Sequence, residues 1–280
     1  MLILGIESAS DQCGCALAAE DGVLAETRLA LPRRHAEALA PQMRFVCEQA
    51  GVALADIEAV AVDHGPGLYT GLRAGLATAK ATAAALEIGV VPVGSLEALA
   101  YGAAAVARPG ETVLSVLDAR RGEVFWAWYR IAVPAPNPPA PDPPAPDPPA
   151  AAPSSATDLS GGSAGGEGDP SSAGYTRLVQ LSAPQVGPPT DLLAALSSGD
   201  RPTGRTVVVG DGALRHADLL AVDHVVLAGP ELRFPSPAAV ALLGRRRALA
   251  GGTVTPEQVD ALYLRSPDAQ PQSSAGSPNS

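Results

Sequence analysis

Cysteine, aromatic residues and basic residues are all scarce in this 280-residue chain. Three cysteines cannot build the bridge framework of a small secreted domain, and so few suit a reducing compartment. Lys and Arg total 19 against 29 Asp and Glu, a net charge of −10. Phosphate backbones are bound by basic surfaces, so a stand-alone nucleic-acid binder is a poor fit. Long apolar runs are missing too. The longest apolar stretch, residues 71–94, is broken by Arg73, Lys80, Glu87 and Pro92, which excludes a membrane span there. Residues 1–7 reach Glu7 without a basic leader segment, so a soluble, cytoplasmic chain with no secretory signal is expected. Catalytic signatures are equally thin. His35, His64, His216 and His224 include no i,i+4 pair, and no carboxylate completes a metal set with them. There is no G-x-S-x-G elbow, no recognisable carboxylate pair and no repeat of solenoid period.

Glycine and proline are abundant, at 29 and 28 residues, about a fifth of the chain where roughly 12% is usual. Eleven of the prolines fall within residues 134–153, and a Ser/Gly-rich stretch continues to residue 174. Residues 134–174 hold five acids and no Lys or Arg, so half of the net charge belongs to them. Such a segment cannot bury enough apolar surface to offset its chain entropy. Its first half is expected as polyproline II and its second as flexible coil. It reads as a solvated spacer inserted in a loop, with a ligand for a proline-recognising domain as the alternative. The expected organisation is an N-terminal lobe over residues 1–110 and a C-terminal lobe over 111–266. The disordered insert 134–174 interrupts the second lobe, and a polar tail, 267–280, frays at the end.

Residues 2–7 carry the apolar run of a buried strand. Residues 12–19 and 23–31 read as two more, joined through Glu20-Asp21-Gly22. Leu39, Met43, Val46 and Ala50 then line one face of a helix, in which Pro41 fits only if the helix starts late or bends. Strands at 57–63 and 90–93 alternate with two helices. One covers 70–86, and the other runs from Ser95, read as its cap, to about Val106. A second hairpin, 113–118 with 123–131, restarts the pattern. Strands near 175–181, 206–209 and 224–227 follow, then a helix over 237–250. Two lobes that each open on a hairpin and continue in β-α units predict an α/β, duplicated ribonuclease-H-like (actin-like) fold. Each lobe is a mixed sheet flanked by helices.

The most informative stretch is Gly65-Pro66-Gly67-Leu68-Tyr69-Thr70-Gly71-Leu72-Arg73-Ala74-Gly75. Glycine permits positive φ and close backbone approach, and Thr70 is placed to cap the following helix. A phosphate cradle at the helix N-terminus is one reading, although the Walker ending and the G-x-G-x-x-G spacing are missing. The helix also carries a strip of small residues, Gly71, Ala74, Gly75, Thr78, Ala81, Thr82 and Ala85. Such a strip admits a second helix backbone, or packs on the chain's own sheet, and a helix has sides for both. Leu4-Gly5-Ile6-Glu7-Ser8-Ala9-Ser10 ends a strand in an acid and hydroxyls. Asp118-Ala119-Arg120-Arg121-Gly122-Glu123 is the matching hairpin of the second lobe, its Asp and Arg fit for an ion pair. Cys13 and Cys15 share one strand face and read as small buried hydrophobes. Arg245-Arg246-Arg247 reads as a solvated helix end favoured by the macrodipole, with a tRNA phosphate contact as the alternative.

Five blocks together resemble the TsaB family. They are Ile3-Leu4-Gly5-Ile6-Glu7-Ser8-Ala9, Arg34-His35-Ala36-Glu37-Ala38-Leu39-Ala40-Pro41, Gly65-Pro66-Gly67-x-x-Thr70-Gly71-Leu72-Arg73, Asp118-Ala119-Arg120 and Leu262-Tyr263-Leu264-Arg265. The resemblance implies an actin-like fold and a scaffolding role without catalytic residues. The implied partner is a TsaD-like catalytic paralogue, paired as a heterodimer through helices near 35–50 and 70–86. A TsaE-like ATPase joins them. The complex moves a threonylcarbamoyl group from its adenylate to N6 of the adenosine 3′ to the anticodon in tRNAs reading ANN codons. The tRNA is met only through the complex, no membrane is involved, and a homodimer is the alternative state in isolation. ATP and a divalent metal are expected on the partner subunits and no cofactor on this chain.

The same resemblance places the partner face at His35, Leu39 and Met43, at Gly65, Pro66, Gly67, Thr70, Gly71 and Leu72, and at Arg73, Ala74, Gly75, Thr78 and Lys80. The catalytic paralogue carries a His-x-x-x-His metal pair; here His35 is followed at that spacing by Leu39. Leu68 and Tyr69 stand where the family usually has Ser and Phe, and Glu7 where Asp is commoner. The alternative reading is a stand-alone actin-like ATPase or a glycoprotease-like peptidase.

Overall fold

A computed structural model describes residues 1–31, 34–133, 177–197 and 204–265. The expected spacer 134–174 and tail 267–280 lie outside the described residues. The first sheet contains β1 (Ile3–Glu7), β2 (Cys13–Ala19), β3 (Gly22–Leu29), β4 (Ala59–Gly65) and β5 (Gly89–Gly94). Its order is β3-β2-β1-β4-β5. The pairs β1/β2 and β2/β3 are antiparallel, and β1/β4 and β4/β5 are parallel. Helices α1 (His35–Ala50), α2 (Tyr69–Leu86) and α3 (Ser95–Gly102) alternate with the later strands.

The second half repeats this plan with β6 (Thr112–Arg120), β7 (Glu123–Ile131), β8 (Leu178–Gln180), β10 (Thr206–Val209) and β11 (Val225–Leu227). The order is β11-β10-β6-β7-β8, and a short β9 (Gln185–Gly187) also pairs with β7. In both sheets the hairpin's first strand takes the parallel strand that follows on its free edge. The fold is therefore a duplicated ribonuclease-H-like one, and the described parts on both sides of residues 133–175 cluster as a single unit. Helices α4 (Pro189–Ser197), α5 (Asp211–Arg215) and α6 (Pro237–Leu249) complete it.

Strand alternation divides the first half into two cores. Leu4, Ile6, Cys15 and Leu17 face α1 and α2, meeting Leu39, Met43, Val46, Leu76 and Ala79. Ile3, Ala16, Ala18, Ala59 and Ala61 face the other way and are covered by α6 from the far end of the chain. Small residues make that face flat. A Cβ on Gly5 would lie 2.7 Å from the Ala241 nitrogen and the Pro237 carbonyl, and one on Gly244 would lie 2.2 Å from Ala61 Cβ. Helix α6 thus rests almost on the strand backbones.

Several local expectations are corrected. Helix α1 does not start late; it carries Pro41 in its second turn. Pro41 and Glu37 are both exposed, so the Glu37 carbonyl that the proline cannot bond is open to solvent. Neither Thr70 nor Ser95 caps a helix. Leu68 and Gly94 occupy the cap positions without side-chain bonds. The Ser95 hydroxyl instead donates to Asp63 Oδ1 at 2.5 Å. The strand expected near 175–181 is only Leu178–Gln180, and α4, α5 and β9 were not anticipated.

The contact of α6 with the sheet generates a prediction. Gly244→Val should cost about 2 kcal/mol or more, because its branched side chain overpacks the Ala61 contact. The denaturant midpoint measures it, and an unchanged midpoint would show that α6 has room to lift.

Candidate functional site

Strands β1 and β4 run parallel side by side, with Ile6 opposite Val62, and β4 continues past the level of Glu7 to Gly65. Beyond β1 come Ser8, Ala9 and Ser10; beyond β4 come the cis Gly65–Pro66 bond and Gly67. The two chain ends then touch backbone to backbone. The Leu68 N–H donates to the Ala9 carbonyl at 2.7 Å, and the Ser8 hydroxyl donates to the Gly71 carbonyl at 2.9 Å. A Cβ on Gly67 would sit 2.3 Å from the Ala9 oxygen, and one on Gly71 would sit 2.1 Å from the Ser8 oxygen. At Gly75 it would meet Ser8 Oγ, again at 2.1 Å. Glycine is needed at all three because the start of α2 is pressed onto the β1–β2 turn.

This divides the small-residue strip. Gly71 and Gly75 point inward, whereas Thr70, Arg73 and Ala81 are exposed and Ala74, Thr78 and Lys80 half-buried. Of the other expected partner-face residues, Leu39, Met43, Gly65, Pro66 and Leu72 are buried within this chain and Gly67 is half-buried. His35 is also buried, its Nε2 donating to the Ser10 carbonyl at 2.9 Å. These inner residues hold the outer ones in place and offer a partner little surface of their own.

Two acids lie beneath the Gly-Pro-Gly loop. Glu7 and Asp63, next to each other in register, are fully buried. Glu7 Oε1 accepts the Ala9 N–H, and Asp63 Oδ1 accepts the Gly65 N–H, both at 2.9 Å. Glu7 Oε2 and Asp63 Oδ2 are buried and have no hydrogen-bond partner among the described residues. Burial first, then the Asp63 charge, drives the Glu7 carboxyl well above its usual range. Burial likewise pushes Asp63 up to about 7, against the bonds from Ser95 and Gly65. The pair therefore keeps a proton near neutral pH. Sequence reading noticed Glu7 but missed Asp63, because its significance lies in strand register.

A cleft of about 760 Å³ opens where the two hairpin turns meet, lined by Asp11, His35, Tyr69, Thr70, Ala74 and Arg120. Arg120 reaches Asp11 at 2.6 Å and Asp118 at 3.1 Å, and Asp118 also holds Arg215 at 2.5 Å. The Asp118 and Arg120 of the second hairpin are thus committed to ion pairs, one of them across the cleft. An anion entering here would compete with Asp11 for Arg120. The run Arg245-Arg246-Arg247 is not simply a solvated helix end. Arg247 pairs with Glu97 and donates to the Pro92 carbonyl at 2.7 Å, while buried Arg245 donates to the Met1 carbonyl at 3.1 Å. Cys13, Cys15 and Cys47 are free and buried, their thiols pushed up by burial. Among the described residues no group of three or more His, Cys, Asp and Glu could hold a metal ion, and no helix is long and apolar enough to cross a membrane.

A family model described as tRNA N6-adenosine threonylcarbamoyltransferase, TsaD, matches residues 22–133. The tRNA threonylcarbamoyladenosine biosynthesis protein TsaB of Escherichia coli K12 is 37% identical over 131 residues, which are 46% of this chain and 55% of that one. The TsaB protein of Bacillus subtilis is 36% identical over 131 residues, or 46% of this chain and 56% of its own. Over these residues the chain is similar to TsaB proteins. It spans about half the length of the curated relatives it matches. The fold is shared with YeaZ from Pseudomonas aeruginosa, at a TM-score of 0.69 and 23% identity over 94% of this chain and 99% of that one.

The acid pair has a pH signature. Both folded-state pKa values lie above the unfolded carboxylate value of about 4. The stability tied to the bound proton is therefore full below about pH 4 and lost as pH rises through about 7. Asp63→Asn should make the fall in urea midpoint between pH 4 and pH 8 shallower. A residual slope is expected from Asp211, which burial pushes to about 6. An unchanged fall would show that the pair does not bind the proton.

Proposed function

We propose that this chain is the non-catalytic partner subunit of a TsaD-like threonylcarbamoyltransferase in the biosynthesis of tRNA threonylcarbamoyladenosine. The observation that carries the reading is the two-sidedness of α2. Its inner side is consumed by Ser8 and the first core. Its outer side presents Arg73, Ala74, Thr78 and Ala81 beside α1, side chains short enough, Arg73 apart, for a partner helix to approach closely. Similarity to TsaB proteins and the match to a TsaD family model support a pairing between two chains of related fold.

In this reading the chain contributes a rigid surface. The Gly-Pro-Gly loop and the β1–β2 turn fix where α2 starts, and that fixes the register of its outer face. ATP, the divalent metal and the transfer chemistry belong to the partner subunits, and a TsaE-like ATPase joins the pair. The tRNA is held through the complex, in keeping with the net charge of −10 on this chain. Such a complex works in the cytoplasm.

The test is co-purification and titration of the full chain with its TsaD-like paralogue. Ala81→Glu adds bulk and a charge sign that α2 lacks, at an exposed position. It should weaken pairing at least tenfold while the melting temperature stays within about 2 °C. Ala74→Gln should act in the same direction. Gly75→Leu should instead unfold the chain, because it strikes Ser8. Folded Ala81→Glu and Ala74→Gln variants that pair as well as the parent would remove α2 from the interface.

A further inference from the structure

The closing Leu262-Tyr263-Leu264-Arg265 block lies in a segment, residues 253–265, that runs from the first sheet across the Gly-Pro-Gly loop to the second. Val254 forms an antiparallel bridge with Val90 of β5, each N–H donating to the other's carbonyl at 2.9 Å. Val259 is buried in the core under α2. Asp260 pairs with Lys80, the one lysine of the chain, at 3.9 Å. The Leu262 N–H donates to the His64 carbonyl at 2.7 Å, and a Cβ on Gly65 would lie 2.9 Å from the Leu262 oxygen. Leu264 packs on the second core, and Arg265 forms an ion pair with Glu123 at the start of β7. The segment is a strap tied at both ends.

Tyr263 is the large apolar side chain that the strap leaves exposed. It is 42% exposed, and its ring lies 5.3 Å from that of Tyr69, itself 39% exposed. The Arg73 guanidinium lies 4.2 Å above the Tyr69 ring, on the same surface as Tyr263. No carboxylate among the described residues pairs with Arg73, although the chain as a whole is acidic. Helix α2 itself contains Arg73 and Lys80 and no acid. Two exposed tyrosines in ring contact and an arginine over one of them are the residue types that dominate binding energy at interfaces. The cation–π contact restricts the guanidinium before any partner arrives.

We propose that the strap assembles Tyr69, Arg73 and Tyr263 into a docking point for a carboxylate on the surface of the protein partner. The proposal rests on the partner-subunit reading above and adds the contribution of the C-terminal segment to it. A carboxylate completes the open side of the guanidinium in a fork geometry that a neutral group does not match.

The experiment titrates the full chain against its TsaD-like paralogue at two salt concentrations. Tyr263→Ala should weaken pairing at least tenfold without moving the melting temperature, since the ring is exposed. Arg73→Ala should weaken it similarly and make it less salt-dependent than the parent. The double variant should be no more than about twofold worse than Arg73→Ala alone, because the two residues act as one unit. A Tyr263→Ala variant that binds within twofold of the parent, while Ala81→Glu does not, would overturn this proposal and leave the partner reading standing. A parent chain that fails to pair at all would overturn both.

Discussion

The close approach of the start of α2 to the β1–β2 turn is the contact on which the rest of the structure depends. Gly67, Gly71 and Gly75 let helix and loop backbone touch Ser8 and Ala9 directly. Glycine within a helix costs about 1 kcal/mol relative to alanine, and the cost is offset here by backbone hydrogen bonds and by burial of β1. Because the inner side of α2 is settled in this way, its outer side is held in one rotation and one register. The Gly-Pro-Gly loop, the strap laid over it and the Tyr-Arg-Tyr cluster all take their positions from that contact.

The same contact seals Glu7 and Asp63. Two carboxyls at adjacent strand ends would be a polar opening in a looser structure. Under the loop they are dry, and each satisfies one oxygen through a backbone N–H. A cleft opens at Asp11 and Arg120. Its two charged hairpin residues are paired with each other across it. The helix surface next to the cleft is exposed at Tyr69, Thr70 and Arg73.

The repeating hairpin and the β-α alternation were legible because strand and helix periods differ. Helix α2 fell within a residue of its expected bounds, and α1 covers the Leu39–Ala50 spacing but starts earlier, at His35. Caps were misread because Ser95 and Thr70 have the right chemistry, yet Ser95 has a better acceptor in Asp63. The short elements α4, β9 and α5 were missed; with three to nine residues each they offer little periodicity. Of the candidate site, the glycine-rich block was legible as a unit. Which of its small residues face inward was not, since that depends on Ser8, far away in the chain. Asp63 and Tyr263 were not singled out as site residues for the same reason: strand register and the path of the strap are long-range facts.

Helix α2 has one side committed to its own sheet, and we propose that the other receives a TsaD-like partner. Hydrogen exchange on the full chain, with and without the paralogue, tests it most directly. The account predicts that amides in residues 69–86 and 254–265 slow on addition of the paralogue, while those in 206–227 keep their rates. Unchanged exchange in 69–86, or protection confined to 206–227, would contradict it.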